Sequence, residues 1–380
     1  MTKSSKSTNK TDQVWIDRLL ASEGATSVLV VILGILSGTL IVALLGKNPS
    51  SLFKAIWQAF VGYYNKGKGA WSVGPLGDTL TYAIPYVLCG LSMGFANRVG
   101  LFNIGAEGQY TVGMLAAHAF AVCIPAFPGQ WLFCMVVAVL AGAIWGGIVG
   151  ILKAKFKISE VVATIMLNYI ALYIYRLVAL YLFPAGLTNR TYRTADLAST
   201  SILKGVFISE SNLNIGFFFM ILAVFVYWFI MEKTKLGFSF RATGFNKDAA
   251  RCSGINDTQA ISLSMAIAGA FAGLAGACVL LGSLKFGRIM QGQDNYGFMG
   301  IAVALVGNSK APGIFLAGIL FGALRSAYSL MQFMNIPREV VNIIEGLIVI
   351  FIALRAGLGK VQEYRAKQKI KKAREQEAAK

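Results

Sequence analysis

Runs of about twenty apolar residues recur along this chain, and hydrocarbon offers no partner to a peptide N–H or C=O. A helix satisfies its backbone groups within one segment, so runs of this length spell membrane-spanning helices. The first, Ser27 to Leu45 (SVLVVILGILSGTLIVALL), follows a polar, Lys/Ser-rich head at 1–26 that lacks the compact basic start and small-residue cleavage site of a signal peptide. It is read as an uncleaved span. Others lie near 80–95, 108–124, 131–152, 161–183, 215–231, 260–281, 298–307, 313–330 and 340–354. That makes ten, the eighth too short to cross unaided. A mean hydropathy of +0.63 agrees with a membrane protein. The expected fold class is therefore an all-α polytopic membrane protein with about ten transmembrane helices, a transmembrane domain at 27–354 between the head and a basic tail at 355–380.

Lys and Arg accumulate in cytoplasmic loops, so their distribution sets the expected orientation. With the amino terminus inside, cytoplasmic segments hold 23 of the 35 basic residues and external loops 10, while Arg176 and Arg325 fall within spans. Both termini are expected in the cytoplasm. The formal charge of +18 is divided among short loops and the tail, so anionic headgroups account for it and nucleic acid is not an expected partner.

Glycines four residues apart recur inside the spans: Gly34 and Gly38, Gly142, Gly146 and Gly150, Gly269 and Gly273, Gly318 and Gly322. Such spacing lets helix backbones approach closely. Spans two to five and seven to ten form two groups of four, each with a Gly-rich polar break near an early helix: FNIGAEGQY, 102–110, and QGQDNYGFMG, 291–300. The sixth span reverses polarity between the groups. Two inverted four-helix repeats whose broken helices meet near a central pathway are expected.

Several chemistries are excluded. The five cysteines have no metal-like spacing, and His118 stands without a second ligand nearby. No HExxH or GxSxG motif supports a membrane enzyme. No GxxxxGK[ST] loop occurs, so no cofactor is expected on this chain and any ATP would be used by partner subunits.

Between spans six and seven, within the loop 232–257, KTKLGFSFRATGFNKDAARCSGIND contains a short capped helix. Asn246 suits the N-cap, Lys247 to Ser253 gives about two turns, Asp248 faces the positive end, and Gly254 suits the left-handed position beyond it. Two turns cannot persist alone in water, so the helix rests either on its own bundle or on a partner. GFSFRATGFNKDAARCSGIN resembles the coupling segment of permeases in the bacterial ATP-binding-cassette importer family that includes ribose and branched-chain amino-acid permeases. GLFNIGAEGQYTVG, SEVVATIMLNYIA and GIAVALVGNSKAPGIFLAGILFGAL resemble its nucleoside branch, which pairs with a lipoprotein binding protein. The resemblance implies a plasma-membrane permease subunit that imports nucleosides, with simple sugars as the alternative. Its implied partners are a second related permease, a cytoplasmic ATPase and an external substrate-binding lipoprotein. It also implies ATPase coupling through Arg241, Gly244, Asn246, Asp248, Ala249, Ala250 and Gly254.

An ionisable group within apolar sequence is costly unless it faces a partner or a wet cavity. Glu107, with Asn103 and Gln109, either satisfies backbone groups freed by the break and pairs with Arg176 or Arg325, or lines a solute path or gate. Asn168 and Asn308 carry the same two readings, and Phe298 adjoins the second break as an aromatic face. In the rival class, an ion-coupled transporter, Glu107, Glu345, Arg176 and Arg325 would form a relay.

Overall fold

The computed structural model describes residues 23–65, 69–183, 194, 196–208, 210–337 and 339–354. Most of the head and the whole tail lie outside the described residues. The helices are α1 (Glu23–Leu44), α2 (Ser50–Val61), α3 (Gly74–Arg98), α4 (Ala106–Cys123), α5 (Gln130–Phe156), α6 (Glu160–Tyr181), α7 (Gly216–Lys233), α8 (Lys235–Phe245), α9 (Lys247–Cys252), α10 (Asp257–Cys278), α11 (Tyr296–Val306), α12 (Ala311–Phe333) and α13 (339–354). A hairpin of β1 (Tyr63–Asn65) and β2 (Ala70–Ser72) stands between α2 and α3, with Tyr64 opposite Trp71.

Every predicted apolar segment falls on a helix. Among the described residues, seven helices are long and apolar enough to cross a membrane: α1, α3, α5, α6, α7, α12, and α10 with the π-helical turn Val279–Leu284 that extends it. The other three are α4, α11 and α13. Helix α4 buries Glu107, Gln109, Thr111 and His118, so its polar residues point into protein. Helix α11 has 11 residues, about half of what a bilayer core requires.

The described residues divide into two compact units, 23–50 with 335–354, and 51–334. In the first, α1 and α13 run antiparallel, with Gly34 against Ile348 and Gly38 against Ile344. In the second, α5 packs on α10 and α3 on α12 as the two most extensive helix pairs. The α5–α10 seam is made by glycine. A Cβ on Gly142 would overlap the carbonyl oxygen of Gly269, one on Gly269 that of Gly142, and one on Gly273 that of Ala138. Gly318 and Gly322 seat α12 on Val87 and Thr79 of α3 in the same way. All five glycine spacings seen in the sequence thus serve packing within one chain.

The larger unit has two distinct ends. At one, Ser72 Oγ donates to Glu210 at 2.6 Å and Ser326 Oγ to the carbonyl of Pro75 at 2.9 Å. At the other, Arg98 pairs with Glu232 at 2.7 Å, Lys153 with Glu160 at 2.6 Å, and Asn97 Nδ2 donates to Ser309 at 2.8 Å. Residues predicted to share a side of the membrane therefore lie together.

The seam yields a prediction. Gly269→Leu forces a side chain into backbone that cannot yield and should cost at least about 1–3 kcal/mol. Gly147, where an added Cβ would meet only the Ala266 methyl at 3.6 Å, should accept alanine without loss. Thermal unfolding of the two variants in detergent checks both.

Candidate functional site

The first break lies between α3 and α4. After Arg98 the chain turns at Gly100 (φ +77°) and runs irregularly to Gly105 before α4 begins. Its freed backbone groups find side chains. Asn168 of α6 accepts from the Gly108 N–H at 2.8 Å and donates to the Ile104 carbonyl at 3.0 Å, while Asn103 accepts from the Gly105 N–H at 3.1 Å. Asn103, Gln109 and Ser92 of α3 close a buried triangle with Asn103 Nδ2 to Gln109 Oε1 at 3.0 Å and to Ser92 Oγ at 3.1 Å.

The second break follows α10. Its helix widens into the π turn, reverses at Lys285 (φ +62°), and the chain runs back as an irregular segment to Asn295 (φ +66°), where α11 starts. A π turn inserted in a helix often accompanies a functional site. The breaks meet at Glu107. Its carboxylate accepts from the backbone N–H groups of Asn295 at 2.8 Å and Gly297 at 2.6 Å, so it caps the amino-terminal end of α11. Gly297 lies so close to the start of α4 that a Cβ would overlap the backbone nitrogen of Glu107. A carboxylate here suits both the unpaired N–H groups and the positive end of the helix dipole.

Beside this junction, the returning segment lines an open cavity of 490 Å³, formed by residues 284 and 286 to 294 except glycine 287. Asp294 pairs with Arg288 and accepts from Tyr110 Oη at 2.7 Å. Two further donors there, Arg288 Nε and Gln293 Nε2, are shielded from water and have no hydrogen-bond partner among the described residues. Thr194 ties to this segment: its N–H donates to the Gly287 carbonyl at 3.1 Å, and its hydroxyl meets His118 Nε2 at 2.9 Å. His118 Nδ1 in turn meets Tyr175 at 2.9 Å, so this histidine holds Thr194, and no metal-ligand cluster surrounds it among the described residues.

Arg288 and Asp294 were absent from the sequence candidates. Their signal was present, as they are the only charged residues between Phe286 and Ser309. Of those candidates, Asn103, Glu107, Gln109 and Asn168 converge at the first break, each 0–1% exposed. Phe298 sits half-buried in the first turn of α11, and Asn308 (φ +51°) lies far along it in the turn to α12. The carboxylate of Glu107 is taken by backbone donors of α11 rather than by Arg176, which is exposed on α6, or Arg325, which lies over the Tyr328 ring at 4.9 Å.

At the opposite end of the unit, α8 and α9 form the loop structure. Asn246 Oδ1 accepts from the Asp248 and Ala249 N–H groups, both at 3.0 Å, and Gly254 adopts φ +82°. Asp248 and Ala249 are exposed, whereas Ala250 is 4% exposed and faces its own bundle. Of the two alanines expected at a partner surface, Ala249 is therefore open to the surroundings and Ala250 is covered by its own bundle. Arg241 pairs with Glu232, which also holds Arg98, so its guanidinium is engaged within the chain. Gly244 lies against Arg98 to Gly100, where a Cβ would overlap the Arg98 carbonyl. Phe245, the last residue of α8, is 90% exposed and went unnoticed in the sequence.

A profile of the family described as "Branched-chain amino acid transport system / permease component" matches residues 76–353. The chain belongs to this family. The permease is 37% identical over 346 residues to the guanosine ABC transporter permease protein NupP of Bacillus subtilis, covering 88% of this chain and 95% of that protein. It is 33% identical to the nucleoside ABC transporter permease protein NupB of Lactococcus lactis subsp. cremoris, covering 86% and 89%. It is 31% identical to the glucose ABC transporter permease protein TsgB13 of Haloferax volcanii, covering 73% and 75%. No solved structure matches. The permease is thus a multi-pass membrane transport subunit and not an enzyme.

The Glu107 cap can be tested directly. Glu107→Ala leaves the buried Gly297 N–H unpaired, at about 1–3 kcal/mol, and the part-buried Asn295 N–H with it, and should deplete the folded permease. Glu107→Gln retains one acceptor and should lose less. Yield and melting temperature of the two variants in detergent decide.

Proposed function

We propose that this permease is the membrane-spanning subunit of an ATP-binding-cassette importer that carries nucleosides into the cell. The observation that carries this reading is near-full-length similarity to permeases named for guanosine and for nucleosides, above that to the glucose permease. The end bearing α8 and α9 faces the cytoplasm, in keeping with the excess of Lys and Arg there. An ATPase docks on it and uses ATP, a second related permease completes the pathway, and an external lipoprotein delivers the solute.

The exposed face for that ATPase comprises Phe245, Asp248 and Ala249, while Asn246 and Gly254 shape α9 and Gly244 and Arg241 tie it to the bundle. Glu107, Asn103, Gln109 and Asn168 act as the scaffold of the two breaks, with their hydrogen-bonding capacity spent on backbone and on one another. Phe298 and Asn308 flank the pathway along α11.

The inverted-repeat reading gains support from the packing. Exchanging α3, α4 and α5 for α10, α11 and α12 turns the α5–α10 pair into α12–α3, and α4–α10 into α11–α3, and all four pairs are extensive. Ten spans follow if α4, α11 and α13 complete the membrane domain. An ion relay is disfavoured because the Glu107 carboxylate is committed to a helix end.

Phe245→Asp should prevent the ATPase from co-purifying with the tagged permease while leaving its membrane yield unchanged. Retention of the ATPase by this variant would remove Phe245 from the docking surface.

A further inference from the structure

We propose that the cavity of the returning segment, 284–294, is where the permease itself contacts the solute, and that it reads the acceptor edge of an uncharged nucleoside base. This rests on the nucleoside-importer reading and adds a site to it. The volume of 490 Å³ falls in the range of small-molecule sites. Its chemistry is selective. Pairing of Arg288 with Asp294 cancels the one cation against the one anion, so the lining offers no net charge to attract a phosphorylated or acidic solute.

What remains unmatched is donor capacity. Arg288 Nε and Gln293 Nε2 have no acceptor among the described residues, and a buried donor left unmade costs about 1–3 kcal/mol. Both atoms are buried in the solute-free permease, so a base engages them as the two side chains turn toward the cavity, and its carbonyl and ring-nitrogen acceptors then supply what both groups lack, as arginine does for the O6 and N7 edge of guanine. Phe286 adds an aromatic face in the same wall, and Leu284, Ile289 and Met290 make the rest of that wall apolar. A simple sugar, rich in hydroxyls and without a flat face, uses this lining poorly.

Position strengthens the assignment. The cavity lies between Gly287, held by the Thr194 N–H, and the Glu107-capped start of α11. A solute seated there touches the one segment that joins both features.

The test uses the permease reconstituted in liposomes with its ATPase and its binding protein, and labelled guanosine as probe. Gln293→Leu should lower ATP-driven uptake at sub-saturating guanosine by about tenfold, as expected for one lost hydrogen bond to a polar solute. Arg288→Lys keeps the pair with Asp294 but removes Nε–H, and should lower it by a smaller factor. Because the Gln293 amide nitrogen has no partner among the described residues, a merely structural role predicts unchanged uptake by whatever folded Gln293→Leu permease is recovered. Uptake by Gln293→Leu equal to wild type, with equal melting temperature, overturns the site. Failure of the wild-type complex to import guanosine at all, or import of glucose instead, overturns the nucleoside reading beneath it.

Discussion

One carboxylate joins the two halves of the larger unit. Glu107 stands in the first turn of α4, yet its acceptors are spent on the first turn of α11, 188 residues away in sequence. A helix that starts inside apolar surroundings leaves N–H groups that neither water nor lipid can reach. The returning segment and the cavity beside it are possible because this side chain supplies what the missing turn would have supplied. Asn168 does the corresponding work for the start of α4, reaching from α6 to the Gly108 N–H.

The helices themselves were legible because their lengths and polarity follow from bilayer thickness and backbone desolvation, which act locally. All ten apolar segments became helices, and the short eighth became the half-length α11. The local cap chemistry of α9 was equally readable, since Asn246 and Gly254 act on their own neighbours. The β1–β2 hairpin was not, because its alternation spans only three residues per strand.

Long-range partners were the unreadable part. Sequence alone left Glu107 between a backbone partner, a cation and a solute, and only the placement of Gly297 against α4 decides its contact. Ala249 and Ala250 looked equivalent as small residues in a short helix, and the bundle beneath them separates one from the other. Arg288 and Asp294 were visible as charges in an otherwise uncharged stretch, but nothing local says that they fold back on each other beside a cavity.

The contact between Gly244 and the Arg98–Gly100 turn has a mechanical meaning. Side chains are the compliant part of a protein interior, since a rotamer change absorbs a small displacement before backbone must move. Here α8 meets the end of α3 through main chain on main chain, with a glycine on each side. A shift of α8 finds no slack at that joint. It arrives undamped at the irregular stretch that leads into α4, and so at the residue that holds the far half-helix by its end.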